Sequence, residues 1–414
     1  MRRAVSLWLA FVVVGGLLLA GAVVVSRPAA KTAVAARSVA ATPYEQAVQT
    51  LRAQSEALLS GDEPKFLAAV DGPLKKRYRA MFRSLRGLEV TRFDYLPGVG
   101  QPAKNGLSFR TEIAYCLGFD MCPGKAGSRW QQPPRIEQRL TMRAVGGRYV
   151  ISAVAPGPSD DPRRPAPWEN GELVVLRGER VTLIAAPEQR RHLAQVLPVA
   201  EKAATVDDRF AALIGTSQSR YRIYLAGEAQ WRSWYGGQED DWAIGLAVPL
   251  NMHGIDVVLR MKTLADNPVM LRVALQHELG HVVTLSGAYR ADAAEDTWLS
   301  EGIAEYIGWS PMSAADTLRR HSVRWALRNE RAKSMIPSQP GPDAPSRAGD
   351  AFYGLSHLAA DCMARKYGDQ KLFAFVRLVL TLDNDYDQAA RDAYGVPFEI
   401  VDRACVKWIR QQVL

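Results

Sequence analysis

The stretch Val273-Ala274-Leu275-Gln276-His277-Glu278-Leu279-Gly280-His281-Val282-Val283 decides how this chain is read. Asn267-Pro268 ahead of it makes a helix start: asparagine can cap, and proline fits the first helical position, where its missing N–H would have no partner anyway. Gly287 stops the helix. Residues four apart share a helix face, so the imidazoles of His277 and His281 project toward one spot, about a turn apart. Glu278 lies about 100° round from His277, within reach of a water at that spot without being placed as a ligand. The bland alternative is an amphipathic helix with exposed histidines. Against it, Val273, Ala274, Leu275, Leu279, Val282 and Val283 describe a buried helix. Two histidines and a glutamate inside a core are costly unless they are paired or bind a metal.

The next helix reads Trp298-Leu299-Ser300-Glu301-Gly302-Ile303-Ala304-Glu305-Tyr306, with Asp296 as its expected cap. Glu301 is separated from His281 by nineteen residues, and Glu305 follows one turn later on the same face. HExxH, a loop of this length and then WLSEGIAEY resemble the gluzincins of the peptidase MA clan, both M1 aminopeptidases and smaller peptidase-MA-like domains. The likeness covers about thirty residues strongly and 169–414 loosely. It implies one zinc ion held by His277, His281 and Glu301, with Glu278 as general base for hydrolysis of a peptide or protein substrate. Three protein ligands leave such an ion a position for water, whose pKa it lowers toward about 7. Glu305 would accept the second ring N–H of a ligand histidine; the plain alternative is a solvated glutamate.

The resemblance also implies a tyrosine on a later helix as oxyanion donor. Tyr353 is the candidate: it follows the Pro/Gly-rich loop 336–350 and opens YGLSHLAADCMARKYG. Tyr306 and His357 are its rivals. The strand 243–248 is expected to hold an extended peptide beside the metal. No glycine-methionine-glutamate-asparagine segment is present to grip a free N-terminus, which favours an endopeptidase over an aminopeptidase. The rival class is a zinc-bearing but inactive membrane-anchored binding or assembly protein; an intact Glu278 argues for the enzyme.

Outward from this motif, the fold class is α+β. After Pro268 the pattern is almost wholly helical. Before it come a hairpin (173–177 and 180–185), a helix at 188–204 and strands at 220–225, 243–248 and 255–260, so 169–414 form one zincin-type domain. Prolines 156, 158, 162, 165 and 167 mark 156–168 as a stiff linker. Upstream, 43–155 begin with helices near 43–59 and 74–85. Strands follow at 107–115, 135–144 and 148–154, the last two joined at Gly146-Gly147. This element order resembles the NTF2-like fold, a curved antiparallel sheet wrapped around a helix. Trp231, Trp234, Tyr235 and Trp242 read as core rather than pocket lining. His192, His253 and His321 are isolated, and Lys75-Lys76-Arg77 form a solvated face.

At the start, Arg2 and Arg3 precede an uncharged apolar run, Ala4 to Val25, long enough to span a bilayer. A retained transmembrane anchor (1–26) is the favoured reading, with 27–42 as tether; small residues at Ala20 and Ala22 leave cleavage, hence secretion, open. Both readings place the body on the extracytoplasmic face of the cell membrane, because the arginines keep the N-terminus inside. Four cysteines suit that side. They permit three pairings, and closeness in sequence favours Cys116–Cys122 with Cys362–Cys405. The net charge of +9 is spread, without a basic block interleaved with aromatics, which argues against nucleic acid.

Overall fold

The computed structural model describes residues 41–414 apart from 105, 125–126, 158–163, 239–242, 289–293, 330–332 and 342–343. The expected anchor, most of the tether, Trp242 and part of the proline-rich segment lie outside the described residues. Among the described residues no helix is long and apolar enough to cross a membrane.

The Thr42 hydroxyl accepts from the Glu45 N–H while the Glu45 carboxylate accepts from the Thr42 N–H, a reciprocal cap that launches α1 (Pro43–Ser60). Helices α2 (Glu63–Ala68) and α3 (Lys75–Gly87) follow. Strands β1 (Val90–Pro97), β2 (Gln101–Ala103), β3 (Gly106–Leu117), β4 (Arg135–Val145) and β5 (Arg148–Pro156) then build an antiparallel sheet in the order β1-β3-β4-β5, with β2 on β3. Gly146 and Gly147 both take positive φ (52° and 77°), which matches a tight hairpin to the strands' twist. Ile136, Leu140 and Met142 alternate inward along β4, and α1 lies against β1 and β5. Strand β1 and helix α2 are elements that the sequence reading passed over.

The second sheet contains β6 (Val174–Arg177), β7 (Val181–Ala185), β8 (Tyr221–Ala226), β9 (Gly245–Asn251) and β10 (Gly254–Arg260) in the order β6-β7-β8-β10-β9. Its three middle strands run parallel, and each outer strand is antiparallel to its neighbour. Helix α4 (Leu193–Ile214) runs ten residues past its expected end at 204. The short α5 (Glu228–Trp231) and α6 (Met261–Leu264) precede α7 (Pro268–Leu285) and α8 (Thr297–Trp309). Helices α9 (Arg320–Asn329), α10 (Ser346–Tyr367), α11 (Asp369–Val376), α12 (Tyr386–Tyr394) and α13 (Phe398–Val413) complete the chain. Both disulfides form, Cys116–Cys122 and Cys362–Cys405, the second tying α10 to α13.

Side-chain alternation on this sheet explains the architecture. Leu183, Ile223 and Val257 point to one face, into the core shared with α4 and α7. Ile184, Tyr224 and Val258 point to the other, into the core shared with the first sheet. Within that core Trp168 is fully buried, edge-on to Phe93 and Tyr115 at 5.9 and 5.1 Å. A buried side chain of this size is worth about 3 kcal/mol or more. Arg222 of β8 is ion-paired with Asp120 and Asp256, again joining the two halves. Residues 41–414 therefore form one compact unit, and the end of the proline-rich stretch is packed inside it.

Candidate metal centre

Asn267 caps α7 as its sequence implies, accepting from the Met270 N–H at 3.1 Å. The bundle around it owes its tightness to missing side chains. A Cβ on Gly280 would stand 3.3 Å from Ala304 Cα, and one on Gly308 would stand 3.1 Å from His277 Cβ. On Gly302 it would meet the Ser356 carbonyl at 2.5 Å. These glycines let α7, α8 and α10 lie close enough for side chains of α8 to reach α7. Asp296 stands at the N-cap position of α8 as expected, but its side chain makes no capping bond; its carboxylate accepts from the Tyr386 hydroxyl at 2.7 Å.

The close approach brings His277, His281 and Glu301 together, with their ligand atoms all within 4.8 Å of one another. Glu301 Oε2 is 3.3 Å from His277 Nε2 and 3.5 Å from His281 Nε2. Zinc bonds of about 2.0–2.1 Å in a tetrahedron put ligand atoms about 3.3 Å apart, close to these two His–Glu spacings. Glu301 Oε2 is buried and has no hydrogen-bond partner. A buried carboxylate oxygen left this way is costly in a protein core, and a cation would satisfy it.

The far sides of both rings are held. His281 Nδ1 lies 3.3 Å from Ser300 Oγ, and His277 Nδ1 lies 3.3 Å from Glu305 Oε1. Glu305, almost wholly buried, also accepts from the Trp309 indole at 3.0 Å and from Arg319 at 2.9 and 3.0 Å. Arg319 reaches Asp350 at 2.7 Å, and its guanidinium lies 4.8 Å from the Tyr353 ring centre. Electrostatics follow. Burial opposes charge on Glu301, yet His281 and His277 draw its pKa down to about 2. Burial likewise opposes charge on His277, but Glu301 and Glu305 outweigh it and favour a positive charge there. Both effects come from the same close pairing of histidine and carboxylate.

Glu278 points toward strand β9: a Cβ on Gly245 would fall 2.2 Å from its Oε1. Burial, followed by the histidines' opposing pull, leaves its carboxylate more basic than usual. Tyr353 lines the same cleft, its ring centre 6.3 Å from that of His277. Burial, reinforced by Glu301, raises its pKa, so the hydroxyl keeps its proton. The rivals stand elsewhere. Tyr306 donates to Asp369, and His357 is buried with both ring nitrogens unpartnered. Neither lines the cleft, which has a volume of about 1550 Å³. Trp231, Trp234 and Tyr235 are buried in the core, and Tyr235 also touches the cleft.

Arg319, Gly245 and Trp130 belong to this site, and only Gly245 fell inside an element that the sequence assigned to it, the strand 243–248. Ser300 stood inside the quoted WLSEGIAEY stretch and could have been noticed by adjacency. The other three come from separate elements, and no local spacing links them to HExxH. Comparison of the chain with protein-family models and with curated proteins gives no match of either kind.

Proposed function

We propose that this chain is a zinc-dependent peptidase of the gluzincin type, acting on peptide or protein substrates outside the cytoplasm, most simply as an endopeptidase. The observation that carries the reading is the convergence of His277 Nε2, His281 Nε2 and the unpartnered Glu301 Oε2, with Glu278 beside them at an open strand edge. Zinc at that spot would supply Lewis acidity, polarising a carbonyl and lowering the pKa of water toward about 7.

The chain's own residues divide the remaining work. Glu278, buried and more basic than usual, takes a proton from water and returns it to the nitrogen of the departing amine. Tyr353 keeps its hydroxyl proton and donates it in a hydrogen bond to the developing oxyanion. Arg319 packs on the Tyr353 ring and, with Glu305, orients His277. The outer edge of β9 pairs with the backbone of an extended substrate. In the same proposal the helical bundle and its sheet are a zincin-type domain and the first sheet with α1 is an NTF2-like module.

The test pairs metal quantification on purified protein with Glu278→Gln. One zinc per chain, peptide cleavage by wild type, and a loss of about a thousandfold or more in kcat with zinc retained in the variant are expected. Equal silence of both proteins across a broad peptide library would instead favour a zinc-bearing binding protein.

A further inference from the structure

We infer that the first module closes one end of the cleft, Trp130 together with Pro249 limiting how far a bound peptide extends beyond Glu278. The inference rests on the peptidase reading above.

Two independent observations carry it. The first is backbone phase. The Arg260 N–H donates to the Ile244 carbonyl at 2.9 Å, and the register then pairs Leu246 with Val258 and Val248 with Asp256. In an antiparallel pair inward and outward residues alternate, so Gly245, Ala247 and Pro249 turn their backbone groups to the outer edge. Gly245 and Ala247 each offer an N–H and a carbonyl there; Pro249 offers only a carbonyl. Pairing with a substrate that begins at Gly245, beside Glu278, therefore loses its donor at Pro249. At about 3.4 Å per residue, that distance is about four residues of extended chain.

The second is a wall at the same end. Trp130, half-buried, lines the cleft with Pro249 and Leu285. Its carbonyl accepts from the Met252 N–H at 2.9 Å, just past β9, and its indole N–H donates to the Ala288 carbonyl at 3.0 Å, just past α7. Asn251 adds a bond to the Gln132 carbonyl at 3.0 Å. The segment carrying Trp130 is pinned upstream by Cys116–Cys122 and by Asp120 on Arg222. With its indole bonded to Ala288 and its backbone carbonyl to Met252, Trp130 is a fixed boundary, not a swinging side chain. Trp130 is thus a specificity-determining residue supplied from the other sheet.

The full-length, zinc-supplied protein is incubated with long unstructured peptides, and every cut is mapped by mass spectrometry. Wild-type cuts are expected within about four residues of one peptide end, which narrows the endopeptidase reading to near-terminal bonds. Trp130→Ala should raise the ratio of interior to terminal cuts by about tenfold or more. Trp130→Phe, which keeps an aromatic wall, should retain the wild-type map. Wild-type cuts spread evenly along the peptides would overturn the inference. So would a wild-type map for Trp130→Ala with unchanged circular dichroism; if that variant does not fold, Trp130→Leu is read in its place. Wild-type silence on every peptide, matched by Glu278→Gln, removes the peptidase reading and this inference with it.

Discussion

Glu305 shows how much one side chain can organise. It touches His277 on one side and Trp309 and Arg319 on the other, almost wholly out of water. A carboxylate behind a ligand histidine sets the ring's tautomer and angle. Glu305→Gln keeps the shape but halves the acceptor capacity and removes the charge. Zinc affinity measured by chelator competition should fall about 10–100-fold while the fold persists. Much at this scale was legible in the sequence. His277, His281, Glu301 and Glu305 lie in two short helical stretches, where a period of 3.6 fixes which residues share a face. Arg319 was not legible, because it stands in the turn just before α9, with no periodic relation to the motif. Asp296 holds its expected N-cap position without a side-chain capping bond for a similar reason: Tyr386, ninety residues away, donates to its carboxylate.

At the scale of elements, the edge strand and the helices meet at glycines. Gly245 leaves room for Glu278, and the atom that an added methyl would strike is the far end of a flexible side chain. Gly245→Ala should therefore fold with little loss of stability yet displace the general base. A drop of about tenfold or more in kcat with unchanged zinc content would check this. The strand itself was legible to within two residues at its start (243 expected, 245 found), because β-branched and apolar residues bounded by turn formers mark a strand. Its place as an edge strand was implied by the zincin resemblance and is what the sheet has, but the order of the other strands was not legible. Sheet order depends on which strands meet, and β8 pairs β10 across an intervening strand in the sequence. Helix α4 outran its expected end because Ala203, Ala204, Phe210 and Ala211 are drawn into the core, where packing outweighs local signals.

Residues 41–414 are one body, with both faces of the second sheet buried. The prolines of 156–168 mark a change of pattern in the sequence, but proline richness says nothing about whether a segment is packed. Ala166 and Trp168 are fully buried in the core between the sheets. Whole-molecule stability should carry a signature in acid. Hydrogen bonds from Arg260 hold the Glu228 carboxylate at about 2, below its ordinary 4.5. A group depressed in the folded state stabilises above its unfolded pKa, so this contribution is full above pH 4.5 and fades as pH falls toward 2. Glu228 is a third exposed, so the effect is modest. Glu228→Gln should flatten the melting temperature's dependence on pH in that window by about one or two degrees.

Pro249 carries a second consequence. An outermost strand with open backbone groups is a template on which neighbouring molecules can stack, strand against strand, into aggregates. A residue with no N–H, set outward on that rim, interrupts such stacking while leaving the Gly245 end open. The protein can thus display a sticky strand to a client without polymerising on itself, and replacing this proline with valine would trade that solubility for self-association.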